Sequence, residues 1–239
     1  MTQQLTILQS PHDAFPNPEI ALSDPDGLLA IGGDLSTKRL INAYKLGIFP
    51  WFNPGEPIMW WSPSQRAVLK VGNLKISRSL KKLARQKRYR IFINHQFENV
   101  IQACVEQRQF KEGTWITSEM IEAYTKLHHL GIAHSIEIVN FDGALVGGLY
   151  GLMTGGTFCG ESMFHRESNC SKLAFWALHD HLNEHGIQLI DCQLENPHLM
   201  SLGATIMPRT EFLTTIKHTA DLKLNKQMWS KQQLDIPYD

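Results

Sequence analysis

The sequence predicts a mixed α/β (α+β) protein, with a small N-terminal α/β domain over residues 1–64 and a larger domain over residues 65–239. Three patterns lead to that expectation. Proline and glycine punctuate the first 64 residues, from Pro16 to Pro63, around one clear helical stretch. Beyond them, helix-like and strand-like stretches alternate. Midway, three β-rich stretches, 133–141, 144–153 and 157–164, follow one another across Asp142-Gly143 and Thr154-Gly155-Gly156. These are short turn sequences that make hairpins, and hence an antiparallel meander.

The elements follow in order. The early helix is expected over 36–46, where Ser36 can cap the N-terminus, Leu40, Ala43 and Tyr44 supply an apolar stripe, and Gly47 suits the left-handed residue that ends it. A basic helix near 77–87, a strand over 89–94, and helices near 96–107 and 118–130 lead into the meander. A helix over 171–185 stops at Gly186, and the apolar strand 187–193 follows it. A short helix over 196–203, a strand near 205–208 and a final helix complete the pattern. No internal repeat or low-complexity segment interrupts it.

At 239 residues and 43% apolar composition, the chain can bury a sizeable core. No run approaches the ~20 apolar residues that span a bilayer, and the start lacks the basic-then-apolar order of a signal peptide. The expectation is a soluble, cytoplasmic monomer without membrane contact. Cys104, Cys159, Cys170 and Cys192 show no CxxC spacing and are expected as buried free thiols. The formal net charge of zero conceals a polarity. From Pro57 to Phe97 there are ten Lys or Arg and no Asp or Glu, which leaves 13 basic against 23 acidic residues elsewhere. Such an arrangement suits a polyanion on one side and a cationic partner on another, although a solvated basic face would look the same.

Three constellations could carry chemistry. Arg78, Lys81, Lys82 and Arg85 recur at i, i+3, i+4 and i+7, one stripe of a helix, with Leu80, Leu83 and Ala84 facing inward. A row of cations without interspersed acids suits phosphates, whose neutralisation releases counterions. The segment 49-FPWFNPGEPIMWWSP-63 packs Phe49, Trp51, Phe52, Trp60 and Trp61 into 13 residues. At least two of these rings are expected in the core or a domain seam, and the others can stack unpaired bases. Finally, Glu161 in 158-FCGESMF-164 and the pair Asp191, Gln193 in 189-LIDCQ-193 sit on adjoining strands. Strand alternation puts Asp191 and Gln193 on one face with Cys192 opposite. An acid at the end of an apolar run needs a partner if buried, so a structural network and a functional site both fit.

The string 181-HLNEH-185 matches the H-x-x-E-H order of inverted zinc peptidases, with His179 nearby. It sits in the last turn before Gly186, where histidines are expected for solvation and for their interaction with the helix dipole. No metal and no cofactor are assigned.

Taken together, 27-GLLAIGGDLS-36, 48-IFPWF-52, 60-WWSP-63, 113-GTWIT-117, 134-HSIE-137, 158-FCGESMF-164 and 190-IDCQ-193 resemble the leucyl/phenylalanyl-tRNA–protein transferases, in order and over nearly the whole chain. The resemblance implies a GNAT-like (acetyltransferase-fold) second domain with a mixed, largely antiparallel sheet, in which Val146-Gly147-Gly148 lies in the meander. It implies transfer of Leu, Phe and less readily Met from aminoacyl-tRNA to acceptor proteins with N-terminal Arg or Lys, marking them for N-degron proteolysis. The glycine loop that holds the pyrophosphate of coenzyme A is not evident. Carried over by position, Trp51 and Trp115 flank the terminal adenosine, and Leu149, Phe158, Phe175, Leu178 and Ile190 line the amino-acid pocket. Arg78, Lys81, Lys82 and Arg85 face the acceptor stem, while Tyr44 and Tyr124 lie in matching helices without an assigned role.

The expected catalytic group is Asp191, Gln193 and Glu161. Gln193 orients the attacking amine through its amide oxygen, Asp191 offsets the developing positive charge, and Glu161 holds the acceptor. Two rival readings remain at this point: the same fold using acetyl-coenzyme A, and a non-catalytic tRNA-binding module.

Overall fold

The computed structural model describes residues 5–109, 115–220, 222 and 225–235. Its first part holds β1 (Thr6–Leu8), β2 (Leu28–Gly32), α1 (Thr37–Lys45), β3 (Phe49–Pro50) and β4 (Met59–Trp61). These are followed by β5 (Gln65–Lys70), α2 (Arg78–Arg85), β6 (Tyr89–Ile93), α3 (Phe97–Gln109) and α4 (Ser118–His129). The meander is β7 (Ala133–Asn140), β8 (Leu145–Thr154) and β9 (Thr157–His165). The chain continues with α5 (Cys170–Glu184), β10 (Leu189–Gln193), α6 (Pro197–Ser201), β11 (Thr205–Pro208), α7 (Arg209–Thr219) and β12 (Gln232–Leu234).

Two sheets result. The smaller has the order β1-β2-β4-β3, and the larger β11-β5-β10-β9-β8-β7-β6-β12. Within the larger sheet β9 and β10 run parallel and the other pairs run antiparallel. The sheet is therefore mixed and largely antiparallel, and the order strand, two helices, meander, helix, strand is the one expected for an acetyltransferase-like domain. The strands of the smaller sheet, together with β5 and β12, escape the sequence pattern. They are two to six residues long, too short for alternation to show.

Capping sets the helices that matter for the site. Ser36, Ser77 and Thr117 accept hydrogen bonds from the backbone N–H groups of Arg39, Leu80 and Met120 at the starts of α1, α2 and α4. In the β7–β8 turn, Gly143 adopts φ of 84°, and the Asn140 side chain accepts from Ala144 N. At Gly147 the reason for glycine is contact, since a Cβ there would lie 2.5 Å from the Cβ of Cys170. The start of α5 can reach the sheet because that position carries no side chain.

The meander separates two apolar cores. On one side, Val100, Ile101 and Cys104 of α3 and Met120, Ala123 and Tyr124 of α4 pack with Tyr150 and Leu152, and with Leu40, Tyr44 and Trp60 from the first part of the chain. On the other side, Leu173, Phe175, Trp176 and Leu178 of α5 pack with Leu80 and Ala84 of α2 and with Leu149, Phe158 and Ile190. Strand alternation thus sends Leu149 to the α5 face and Tyr150 to the α3 face.

The 134-HSIE-137 string belongs to this frame. The Glu137 carboxylate accepts from the backbone N–H groups of His95 and Gln96 at the start of α3 and from Ser135 Oγ. Asn94 donates to the Trp229 carbonyl and accepts from Ser135 N, which ties the C-terminal segment to the sheet. Burial raises the Glu137 pKa to about 7, against hydrogen bonds from Ser135, His95 and Gln96 that pull it down. Below pH 4.5 this carboxyl is neutral in folded and unfolded chains alike, whereas between 4.5 and about 7 the unfolded chain releases the proton first. Rising pH therefore draws down the stability contributed by this residue. Glu137→Gln, which stays neutral, is expected to gain in Tm relative to the parent protein as pH is raised through that window; a Tm difference that does not change with pH would contradict this origin.

Candidate functional site

A cavity of about 790 Å³ opens beside the end of the meander, a volume suited to a small organic group. Its apolar wall is built from three directions: Leu149 from β8, Phe158 from β9, and Phe175 with Leu178 one helical turn apart on α5. Ile190 of β10 completes it. All five side chains are buried. Trp51 and Trp115 border the same cavity, Trp51 at 41% exposure and Trp115 half-buried. Glu161 and Gln193 supply its polar side.

The aromatic segment divides as expected. Phe49, Phe52 and Trp60 are core residues. Trp51 is held outward by backbone: its N–H donates to the Met59 carbonyl, and its own carbonyl accepts from the indole N–H of Trp61 at 2.7 Å. The rings of Trp51 and Trp61 lie 5.8 Å apart. Of the 113-GTWIT-117 string, Gly113 and Thr114 fall outside the described residues, while Thr117 caps α4 and so places Trp115 just ahead of that helix.

At β10 the structure departs from simple alternation. A β-bulge lies between Asp191 and Gln193, and Gln193 takes φ of 64°, in the left-handed region. A residue with a Cβ pays roughly 1–2 kcal/mol there, and bulges commonly re-aim a side chain near active sites. The consequence is that Cys192 and Gln193 both border the cavity, whereas Asp191 does not. The expected shared face of Asp191 and Gln193 is thus broken by one irregular residue.

Asp191 is fully buried and faces a cation. Arg66 Nε donates to its Oδ1 at 2.8 Å and Arg66 Nη2 to its Oδ2 at 2.7 Å, a bidentate pair with both side chains 1% exposed. The guanidinium also donates to the Gly47 carbonyl and lies 4.6 Å from the ring centres of both Phe49 and Phe212. Burial alone would lower the Arg66 pKa; the adjacent Asp191 carboxylate outweighs it and raises the value. Asp191 Oδ1 accepts in addition from the Gln193 backbone N–H at 2.9 Å, which holds the bulge. The carboxylate expected to offset charge on an incoming amine is therefore already neutralised behind the cavity wall.

Glu161 is likewise engaged. Its Oε1 accepts from Tyr44 Oη at 2.7 Å and from Gln193 Nε2 at 2.8 Å, and its Oε2 from Tyr124 Oη at 3.0 Å. The two phenols also contact one another. Three oxygen-to-oxygen contacts share two phenolic protons, so a protonated carboxyl that donates to one phenol and accepts from the other completes the set. In keeping with this, burial raises Glu161 to about 7; the Tyr44, Tyr124 and Gln193 hydrogen bonds pull it down, and the Asp191 charge adds to the rise. Burial also drives both tyrosines well above the usual phenol range. Glu161 was expected to hold an acceptor; its hydrogen bonds instead fix the amide of Gln193, whose Oε1 has no partner among the described residues.

Arg66 and Arg108 were not foreseen at the site, and Tyr44 and Tyr124 were expected only in matching helices. Tyr44 reads as an apolar-stripe residue, and a helical period reveals neither its hydroxyl's partner nor that of Tyr124. Arg66 was counted with the basic face. Asp191 signalled that a cation was needed, but its partner lies 125 residues away in sequence. Arg108 borders the cavity, donates from Nε to Ser162 Oγ and sits 5.7 Å from the Trp115 ring.

The predicted basic stripe is outside the cavity. Arg78, Lys82 and Arg85 are exposed and Lys81 is half-buried. Leu80 and Ala84, on the opposite face of α2, join the apolar core that contains Phe175, Leu178 and Ile190. At the far end of α5, His181 is buried rather than solvated, and burial holds its pKa down at about 4.

Comparison with known proteins follows this geometry. Residues 68–217 match the leucyl/phenylalanyl-tRNA protein transferase family, and residues 33–64 match its N-terminal domain. The chain belongs to this family. A leucyl/phenylalanyl-tRNA–protein transferase of Pseudoalteromonas translucida (strain TAC 125) is 54% identical over 239 residues, covering 100% of both chains. One from Shewanella woodyi (strain ATCC 51908 / MS32) is 52% identical over 232 residues, 97% of this chain and 98% of the other. Among solved structures, L-PGS from Bacillus licheniformis aligns with 86% of this chain and 66% of its own, at 11% identity and a TM-score of 0.41. No helix among the described residues of this transferase-family chain is long and apolar enough to cross a membrane.

The ion pair yields a test. Arg66→Met leaves a buried, unpaired carboxylate, and is expected to destabilise the protein by about 3–5 kcal/mol in urea unfolding. Arg66→Met with Asp191→Leu should recover most of that loss, because the stranded charge is gone. A double variant as unstable as the single one would mean that the pair's charge is not what matters.

Proposed function

We propose that the chain moves Leu or Phe, and less readily Met, from aminoacyl-tRNA to the α-amino group of acceptor proteins beginning with Arg or Lys. One observation carries this reading: an apolar pocket, two bordering indoles and an immobilised amide meet in a single cavity. The pocket takes the amino-acid side chain. Trp51 and Trp115 stack on the terminal adenosine, where base stacking contributes roughly 1–3 kcal/mol per base. Arg108 adds a cation at the same border for a terminal phosphate. The stripe Arg78, Lys81, Lys82 and Arg85 receives acceptor-stem phosphates.

The reaction is aminolysis of an ester. The neutral amine attacks the aminoacyl carbonyl, a C–N bond forms, the C–O bond to the ribose breaks, and a proton passes from the amine to the departing ribose oxygen. An α-amino group with pKa near 7.7–8.0 is roughly one-tenth unprotonated at neutral pH, so positioning matters more than a strong base. Gln193 Oε1 accepts a hydrogen bond from the attacking N–H and fixes its direction. Glu161, Tyr44 and Tyr124 set that amide from one side, and Asp191 with Arg66 sets its backbone from the other. In this reading Asp191 and Glu161 are positioning residues, and Gln193 is the one that touches the amine. One copy of the chain carries the whole cavity, so a monomer in the cytoplasm suffices. The product gains an apolar N-terminus, the feature through which it would enter N-degron proteolysis.

Incubating the protein with radiolabelled Leu-tRNA and a peptide starting with Arg is expected to give labelled peptide. Gln193→Ala should lower kcat by about 100-fold, the cost typical of a misaligned reacting group, while Trp51→Ala should chiefly raise KM for the charged tRNA. Label that stays on the tRNA, or a Gln193→Ala rate equal to the parent's, would end the reading. The basic stripe makes a separate prediction. Affinity for tRNA falls steeply with salt, and Lys82→Ala reduces the slope of log affinity against log salt by about one; an unchanged slope would place the phosphates elsewhere.

A further inference from the structure

The last turn of α5 carries a cluster that the transfer reaction does not use. His181 and His185 stand at i and i+4, on one helical face. A ligand atom from each, and one from Glu184, all lie within 4.8 Å of one another. None of the three residues borders the cavity, whose α5 wall is formed by Phe175 and Leu178.

Two observations go beyond spacing. His185 Nδ1 lies 2.8 Å from the His181 carbonyl oxygen. A carbonyl can only accept, so this nitrogen carries the proton and Nε2 keeps a free lone pair. A backbone carbonyl that fixes the imidazole tautomer in this way is the usual outer support of a metal-binding histidine. The second observation concerns His181, which is 3% exposed: the Met228 backbone acts on its ring, and its Nε2 is buried without a hydrogen-bond partner among the described residues. A buried polar atom left unsatisfied is costly unless something occupies it.

We propose that His181, Glu184 and His185 form a binding site for a divalent transition-metal ion, with Zn²⁺ the best match. Imidazole and carboxylate together suit Zn²⁺, which takes four ligands and leaves the remaining position to water. Bonds of about 2.0–2.2 Å place tetrahedral ligands roughly 3.4 Å apart. Glu184 and His185 are exposed and free to swing inward to that spacing, while His181 is held by its burial. All three ligands come from one helical turn, so the ion staples the end of α5 and supplies nothing to the reacting ester. The site stands independently of the transferase reading.

The test uses full-length protein stripped with EDTA and titrated with Zn²⁺ against a chromophoric chelator, with thermal unfolding measured alongside. One saturable equivalent and a rise in Tm are expected. His185→Ala and Glu184→Gln change exposed residues and leave the core intact, and each should weaken binding by more than about tenfold. His218→Ala provides the control, because that histidine is also exposed and also has its Nδ1 against an i−4 carbonyl, that of Thr214. The control should bind Zn²⁺ as the parent does, and transfer of Leu to an Arg peptide should be unchanged at one equivalent. Absence of a saturable equivalent, or binding undiminished in His185→Ala, would overturn the site.

Discussion

The buried pair of Arg66 and Asp191 is the constraint on which the rest of the site depends. Two opposite charges removed from water carry a large desolvation penalty, which is offset only when their geometry is close to ideal and their remaining hydrogen-bonding capacity is filled. Here both conditions are met. The guanidinium meets the carboxylate with two bonds, gives a third to the Gly47 carbonyl, and lies against the faces of two phenylalanines. The contact therefore locks the end of α1, strand β5, strand β10 and helix α7 into one arrangement. Since Asp191 also holds the Gln193 backbone N–H, the bulge at the cavity border is part of the same lock.

The two carboxylates of the site illustrate how environment assigns different tasks to one chemical group. Asp191 has a cation and serves as an anchor. Among the described residues Glu161 bonds only to phenols and an amide, so burial raises its pKa and it sits near the border between its two protonation states. Neither carboxylate is spare. What the two leave unpaired among the described residues is the side-chain Oε1 of Gln193, at a backbone conformation that a strand would not adopt unaided. Strain of this kind persists where surrounding bonds over-determine it.

Charge and stacking are arranged at different depths. The cations of α2 stay at the surface while the opposite face of that helix packs into the core that walls the cavity. The aromatic segment shows the same division, since Phe52 and Trp60 lie in the core while Trp51 borders the cavity.

The sequence by itself determined the local structure and the inventory of chemistry. Helical period placed α1, α2 and α4, with Ser36 as the cap of the first, short turn sequences placed the meander, and the ordered strings identified the family. Nine of the ten residues proposed for catalysis and for the pocket border the cavity. These features are encoded within short stretches of chain, which is why they could be read directly. Only the tertiary structure decided that Arg66 leaves the basic face to neutralise Asp191, that Tyr44 and Tyr124 converge on Glu161, and that a bulge turns Gln193 away from Asp191. Each depends on which distant group fills a buried hydrogen-bonding position, and partners 125 and 117 residues apart leave no local periodicity to announce them.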